Sequence, residues 1–409
     1  MFKMQRIPLK IELLLSDLEI LFNSYQWIHF KSLLLSLLLT PYRATISGMT
    51  RVISFGSHRS KHNEFLIDCT KILSQALRFY AMLILKLLYK EGEIVYFIID
   101  DSSNKKRGKH IKAAFKFFDH LTKTFAFGQQ IVCSIIEYRG IIIPYAVEIY
   151  CPKEQSKKNR FRKKTKIAED MLKSFESDKD QAVFVLCDSY YATSALMNHC
   201  RNNSYTFISM LKENRVVTIG RTTMKMGKYI RYNFKRHKNK KTIALKKKKY
   251  LYYSCKAILK SGGAVKLVLT KDLSHKTVKA IFTTNTALPV YRILQAYQKR
   301  WSIEVFFKMS KQYLGFRASQ SRTLEAATST ILLLMLSYNL LTHLFILETS
   351  EKGKYLTKKR IAQFSVLSMR ERIRQIINLD TIDYCLEQSR DNISKNKLSD
   401  NIKQYLMAA

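Results

Sequence analysis

Residues able to do chemistry gather in three short stretches of this chain. The apolar run 94–99 ends on Asp100-Asp101, and the run Ala182–Cys187 ends on Asp188. A carboxylate just past a buried strand is held rigidly at a sheet edge while still meeting solvent. If the two strands are neighbours, Asp101 and Asp188 converge on one point. With a third carboxylate from a helix, such acids can hold two divalent metals about 3.5–4 Å apart, an arrangement that activates water in phosphodiester chemistry. Magnesium suits all-oxygen donors and keeps some of its waters for a substrate phosphate. Each aspartate taken alone also suits a turn or a helix cap.

The third stretch runs from Tyr297 through Arg300 and Glu304 to Lys311. At about 100° per residue, with Tyr297 as origin, Arg300 falls near −60°, Glu304 near −20° and Lys311 near −40°. One acid thus shares a stripe with two cations and a phenol. Phe306 and Tyr313, roughly opposite, leave the far face free to enter a core. Arg300 and Glu304 also have the spacing of an ordinary surface pair worth a few tenths of a kcal/mol.

These residues need a scaffold, and the composition supplies one. The chain has 409 residues, 47% hydrophobic and 12% aromatic, with 12 Gly and 5 Pro. That is enough for two or three packed domains and excludes a disordered tail or a collagen-like architecture. Lys and Arg number 71 against 31 Asp and Glu, a formal net charge of +40. Such a surplus repels itself in a compact fold and calls for a polyanionic partner, nucleic acid before a membrane surface. Seven cysteines without a C-x-x-C pair argue against a disulfide framework or a zinc ribbon and read as a reduced, cytosolic interior. The N-terminus is read as carrying no signal peptide. The apolar window 330–347 contains Asn339 and His343 and reads as a buried helix rather than a membrane span.

Residues 1–90 read as helical, with an amphipathic stretch over 64–88. Strands follow at 94–99, 130–137 and 141–149, the last two joined by a turn at Tyr138-Arg139-Gly140. Next come a helix near 160–176, the strand before Asp188, a helix over 191–200 and a strand over 205–210. The order predicts a mixed sheet with helices on its faces. Residues 212–260 hold 17 Lys and Arg and one acid, Glu213, with interleaved tyrosines. With the runs up to 284 they read as a basic β-rich insertion, including a strand at Lys228–Phe234. Such a block, with Lys246, Lys247 and Lys248 in its densest run, provides salt-sensitive phosphate contacts. The segment 153–166 extends the same basic surface. One helix is expected over 289–314, then the apolar helix and a charged helical C-terminus.

Tyr297-x₂-Arg300-x₃-Glu304-x₆-Lys311 resembles the Y-R-E-K signature of bacterial insertion-sequence transposases of the DDE type. Asp-Asp-Ser-Ser at 100–103 with Lys106-x-Gly108-Lys109 is similar to their first-acid motif, and VFVLCDSYYA to their second. The basic block lies where these enzymes carry a β-strand insertion. The resemblance covers roughly 90–345 and implies a ribonuclease H-like mixed α/β sheet with flanking helices, interrupted by the insertion. The expected parts are an N-terminal helical, DNA-end-binding domain (1–90), the core in two segments (91–211 and 289–347), the insertion (212–288) and a C-terminal helical region (348–409).

By position, the resemblance makes Asp101, Asp188 and Glu304 the ligands of two Mg²⁺, with Mn²⁺ an alternative. Asp101 is preferred over Asp100 because the family's acid directly precedes a hydroxyl residue, here Ser102. Tyr297, Arg300, Trp301, Lys311 and Lys106 become contacts to double-stranded DNA with terminal inverted repeats. Cutting, joining to target DNA, a homodimer on paired ends and a cytoplasmic, nucleoid-associated site follow from the same likeness. The competing functions are a catalytically silent DNA-binding derivative and a structure-selective nuclease. Some relatives stack a flipped base on a tryptophan of the insertion. Here Trp27 and Trp301 lie outside it. Thr45-Ile46-Ser47 is the candidate start of a recognition helix.

Overall fold

The computed structural model describes residues 3–41, 43–55, 58–108, 110–119, 122–156, 161–178, 180–234, 236, 239–245, 248–260, 262–274, 277–351, 353 and 355–390.

The N-terminal helices are α1 (Leu9–Leu15), α2 (Ser24–Leu39), α3 (Ile46–Met49), α4 (Arg59–Asp68) and α5 (Thr70–Leu88). Asn23 and Gln26 cap α2 reciprocally, so two orphan N–H groups of its first turn are satisfied. The continuous helix expected over 64–88 is instead broken at Cys69. The α5 stripe Leu73, Ala76, Leu77, Tyr80, Ala81, Ile84, Leu85 and Leu88 is buried, as its spacing demands. Thr45 does cap a helix, but α3 is a single turn, too short for the recognition helix expected there.

The core strands are β1 (Ile94–Lys105), β2 (Phe115–Asp119), β3 (Thr124–Tyr138) and β4 (Ile141–Tyr150). Helix α6 (Lys164–Lys173), β5 (Ala182–Cys187), α7 (Ser194–Asn202) and β6 (Thr206–Met210) complete the first half. β1 lies antiparallel to β3 and parallel to β5, and β5 parallel to β6, the mixed sheet predicted from the order of elements. Arg139 and Gly140, both at positive φ, close the β3–β4 hairpin.

The basic block forms β7 (Val216–Ile219), β8 (Thr222–Lys225), α8 (Met226–Tyr229), β9 (Lys241–Leu245), β10 (Lys248–Leu259), β11 (Gly263–Asp272) and β12 (Val278–Thr283). Its Lys228–Phe234 run, expected as a strand, is helical, with Tyr229 and Phe234 buried. β12 pairs antiparallel with β6, so among the described residues one sheet of twelve strands runs β2-β3-β1-β5-β6-β12-β11-β10-β7-β8, with β4 on β3 and β9 on β10.

Helices α9 (Val290–Lys299), α10 (Trp301–Tyr313), α11 (Leu324–Glu351), α12 (Lys358–Ile361) and α13 (Val366–Arg390) follow. α11 is long and apolar enough to cross a membrane, yet it packs inside the molecule against α5, β4, α4 and α2. Asn339, fully buried on α11, donates to the Pro144 carbonyl of β4 at 3.0 Å, which explains how an amide sits in this apolar run.

Candidate active site

β1 does not stop before the acids, as the apolar run suggested; it continues through them to Lys105. Asp100 and Asp101 are therefore strand residues pointing to opposite faces. Register then decides which one meets the second acid. Ile99 pairs with Cys187, so the next residues along the two parallel strands, Asp100 and Asp188, are neighbours.

The Glu304 helix crosses the Asp100 face. Arg300 Nη1 donates to Asp100 Oδ2 at 2.8 Å, while its Nη2 donates to Glu304 Oε1. Lys311 Nζ lies 2.6 Å from Ser102 Oγ, two residues along the same face of β1. Asp101 looks the other way: Lys164 of α6 and the Tyr191 hydroxyl donate to its two oxygens at 2.8 and 3.1 Å. Where Asp101 was expected beside Asp188 and Glu304, the Arg300 link to Glu304 falls on Asp100, and Asp101 turns to Lys164 and Tyr191.

The arrangement is locked at both ends. Lys299, at the end of α9, pairs with the buried Glu137 of β3 at 2.7 Å. Beyond α10, Asn104 donates to the Phe316 carbonyl at 3.1 Å and Lys106 to that of Ser319. The helix expected to be continuous turns tightly at Arg300, whose N–H bonds Tyr297 three residues back at 3.1 Å. That junction carries the guanidinium.

Burial pushes the Asp100 carboxyl up to about 7, against the pull of Arg300 and with a further push from Asp188. Asp188 Oδ1 accepts from the N–H groups of Tyr190 and Tyr191 at 2.8 and 3.3 Å, the turn-capping role open to it from sequence. Among the described residues, no donor reaches Asp188 Oδ2 or Glu304 Oε2, whose partner oxygens take all the bonds. No group of three His, Cys, Asp or Glu side chains forms a metal-holding cluster among the described residues. Arg300, lying between Asp100 and Glu304, neutralises two of the acids instead.

Tyr297 is half-buried, its phenol raised by burial and facing Arg300 and Asp188. Trp301 is 62% exposed at the start of α10. Lys106, expected as a DNA contact, is buried, lowered to about 8 by desolvation and donates to a backbone carbonyl. Lys248 is exposed and pairs with Asp272 at 3.3 Å. Lys109, Lys246 and Lys247 lie outside the described residues. Missed from the sequence were Lys164 and Tyr191, partners of Asp101. Lys164 lies in the basic segment singled out above, but nothing in its spacing marked it.

Neighbouring acids on two interior strands of a mixed sheet, faced by a cation-bearing helix, define an α/β domain of the ribonuclease H-like class. Residues 157–340 match the family model described as "Transposase DDE domain", and the chain carries a DDE transposase domain, a class that acts on DNA. The match contains Asp188 and Glu304; Asp100 precedes it. No curated protein matches the chain.

Proposed function

We propose that the protein is a magnesium-dependent transposase that cuts double-stranded DNA at insertion-sequence ends and joins the freed strand to target DNA. The observation that carries this reading is Arg300 bridging Asp100 and Glu304 on the face where Asp188 arrives, inside and beside the matched domain.

The donor set fits a hard divalent cation: Asp100, Asp188 and Glu304 offer only oxygens, two of them without a protein donor. These three would hold the ions, Mg²⁺ or Mn²⁺. When bound, they supply positive charge at the scissile phosphate and its leaving oxygen.

The chain's own residues do the rest. Arg300, released from its two acids, is placed to clamp a phosphate in a forked hydrogen bond. Lys311 offers a point charge from Ser102 along the same face. Tyr297 and the exposed Trp301 provide ring surface beside the acids for an unstacked base. Lys248 and the basic strands give sequence-independent hold on the backbone. Residues 1–90 are assigned to reading the terminal inverted repeats, and two copies to pairing the two ends, in the cytoplasm at the nucleoid.

The test uses the protein with DNA flanking its own gene, Mg²⁺ and mapped cut positions. Cuts at the element boundary, followed by strand-transfer products, support the reading. Cutting without any joined product would leave a nuclease; tight binding without cutting would leave a silent DNA-binding derivative.

A further inference from the structure

At the C-terminal end of α10, a cleft of about 950 Å³ opens where the N-terminal helices, the end of β1, the turn after α10 and helix α13 meet. Its described lining includes Arg43, Arg107, Lys311 and Arg317 from separate segments, and no aspartate or glutamate. Arg43, Arg107 and Arg317 are exposed, and none has a carboxylate partner among the described residues. Lys311 is held below its ordinary value by burial and by Arg317, against a smaller opposing pull from Cys133 and Asp119. Assembling like charges in one concavity costs energy unless an anion fills it.

The cleft is also built rather than incidental. Arg370 of α13 donates to three backbone carbonyls, Leu38 at 2.6 Å, Thr40 at 2.5 Å and Tyr313 at 2.8 Å, tying its walls together. Gly315 sits at φ +70°, and a Cβ there would stand 2.6 Å from that of Ala44, so the two walls touch at their base.

We infer that this cleft seats the sugar-phosphate backbone of one strand of the bound duplex, a few nucleotides from the cut, with Arg43, Arg107 and Arg317 on its phosphates. The inference rests on the DNA-cutting reading above and adds a path to it. Lys311 is one lining residue and, seven positions before it on α10, stands Glu304. At 1.5 Å per residue that is roughly 10 Å. With about 3.4 Å of axis per nucleotide of one strand, the cleft's near end meets phosphates about three nucleotides from the cut. A continuous anionic polymer fits cations spread over several segments better than a single small anion does.

The experiment measures binding of duplex DNA from the gene's flank across a salt series. Its variants are Arg107→Ala/Arg317→Ala and, on a separate segment, Arg43→Ala. Each lost phosphate contact lowers the slope of log K against log salt by about 0.9. The double variant should lose about two units of slope and on the order of tenfold in affinity, and Arg43→Ala about one unit. A neutral methylphosphonate about three nucleotides from the cut should weaken binding to the wild type but not further to the double variant. Wild-type slope and affinity in both variants, or an equal methylphosphonate effect in wild type and double variant, would overturn the assignment. Failure of the wild type to cut would sink the enzymatic reading instead, while the salt slopes would still judge the cleft.

Discussion

The guanidinium of Arg300 reaches the Asp100 carboxylate at 2.8 Å across two hundred residues of chain, and with its other nitrogen it holds Glu304. This single side chain reports which aspartate faces α10. It also keeps two like charges from repelling each other in a partly buried place.

The two adjacent aspartates should therefore behave differently. Asp100→Asn is expected to reduce metal-dependent DNA cutting by a thousandfold or more, roughly 4 kcal/mol of barrier. Asp101→Asn should cost far less, since it loosens only the contacts to Lys164 and Tyr191. A nicking assay on purified variants decides; an inactive Asp101→Asn beside an active Asp100→Asn would reverse the assignment.

Removing the bridge should destabilise the protein without metal and less so with it. Arg300→Ala leaves Asp100 and Glu304 uncompensated, at an expected cost of about 1–3 kcal/mol given their partial exposure. Mg²⁺ should then raise the melting temperature of the variant more than that of the wild type. Equal metal-induced shifts in the two proteins would speak against the acids as a cation site.

Acid should weaken the N-terminal bundle. His29 and His62 are buried and meet through their Nδ1 atoms at 3.0 Å, with Lys61 and Glu64 the nearest charges acting on His29. Burial lowers His62 to about 4. Between about pH 6.5 and 4 the unfolded chain takes up a proton that the folded state refuses, so stability falls as pH falls. The slope from this group is at most about 1.4 kcal/mol per pH unit. Urea midpoints at pH 7 and pH 5 should converge in a His62→Gln variant that folds; an unchanged pH dependence would remove His62 as the cause.

The apolar helix α11 should behave as core. Leu336 is fully buried there, and Leu336→Ala is expected to cost about 2–5 kcal/mol in chemical denaturation. A change under about 0.5 kcal/mol would mean that this face is not packed.

What was legible in the sequence had strong periodicity or a compact apolar run. The strand Ala182–Cys187 and the buried helix around Asn339 are such cases; α10 carries Glu304 and Lys311, with Arg300 at its N-cap. The extent of β1 was not legible, because its second half is polar. Ser102, Asn104 and Lys106 are buried and bonded to Lys311, the Phe316 carbonyl and the Ser319 carbonyl, partners some two hundred residues away. Hydropathy stops at Ile99 where the hydrogen bonding does not. Asp101 is preferred in the sequence because it directly precedes the hydroxyl of Ser102, and without the true length of β1 the sequence could not show that Asp100 and Asp101 face opposite ways. Lys228–Phe234 failed for the converse reason: alternating cations and aromatics mimic a strand, but Tyr229 and Phe234 pack a helical segment.

The pairing of β12 with β6 has a practical corollary for anyone building chimaeras. After β6 the chain builds the far strands of the sheet and comes back as β12, the immediate neighbour of β6, so the basic block is joined to the core through that one pairing. Cutting it out as a removable cassette together with β12 would turn β6 from an interior strand into a naked rim, primed to zip onto other molecules. A graft that preserves Val278–Thr283 and swaps only what precedes it keeps that seam closed.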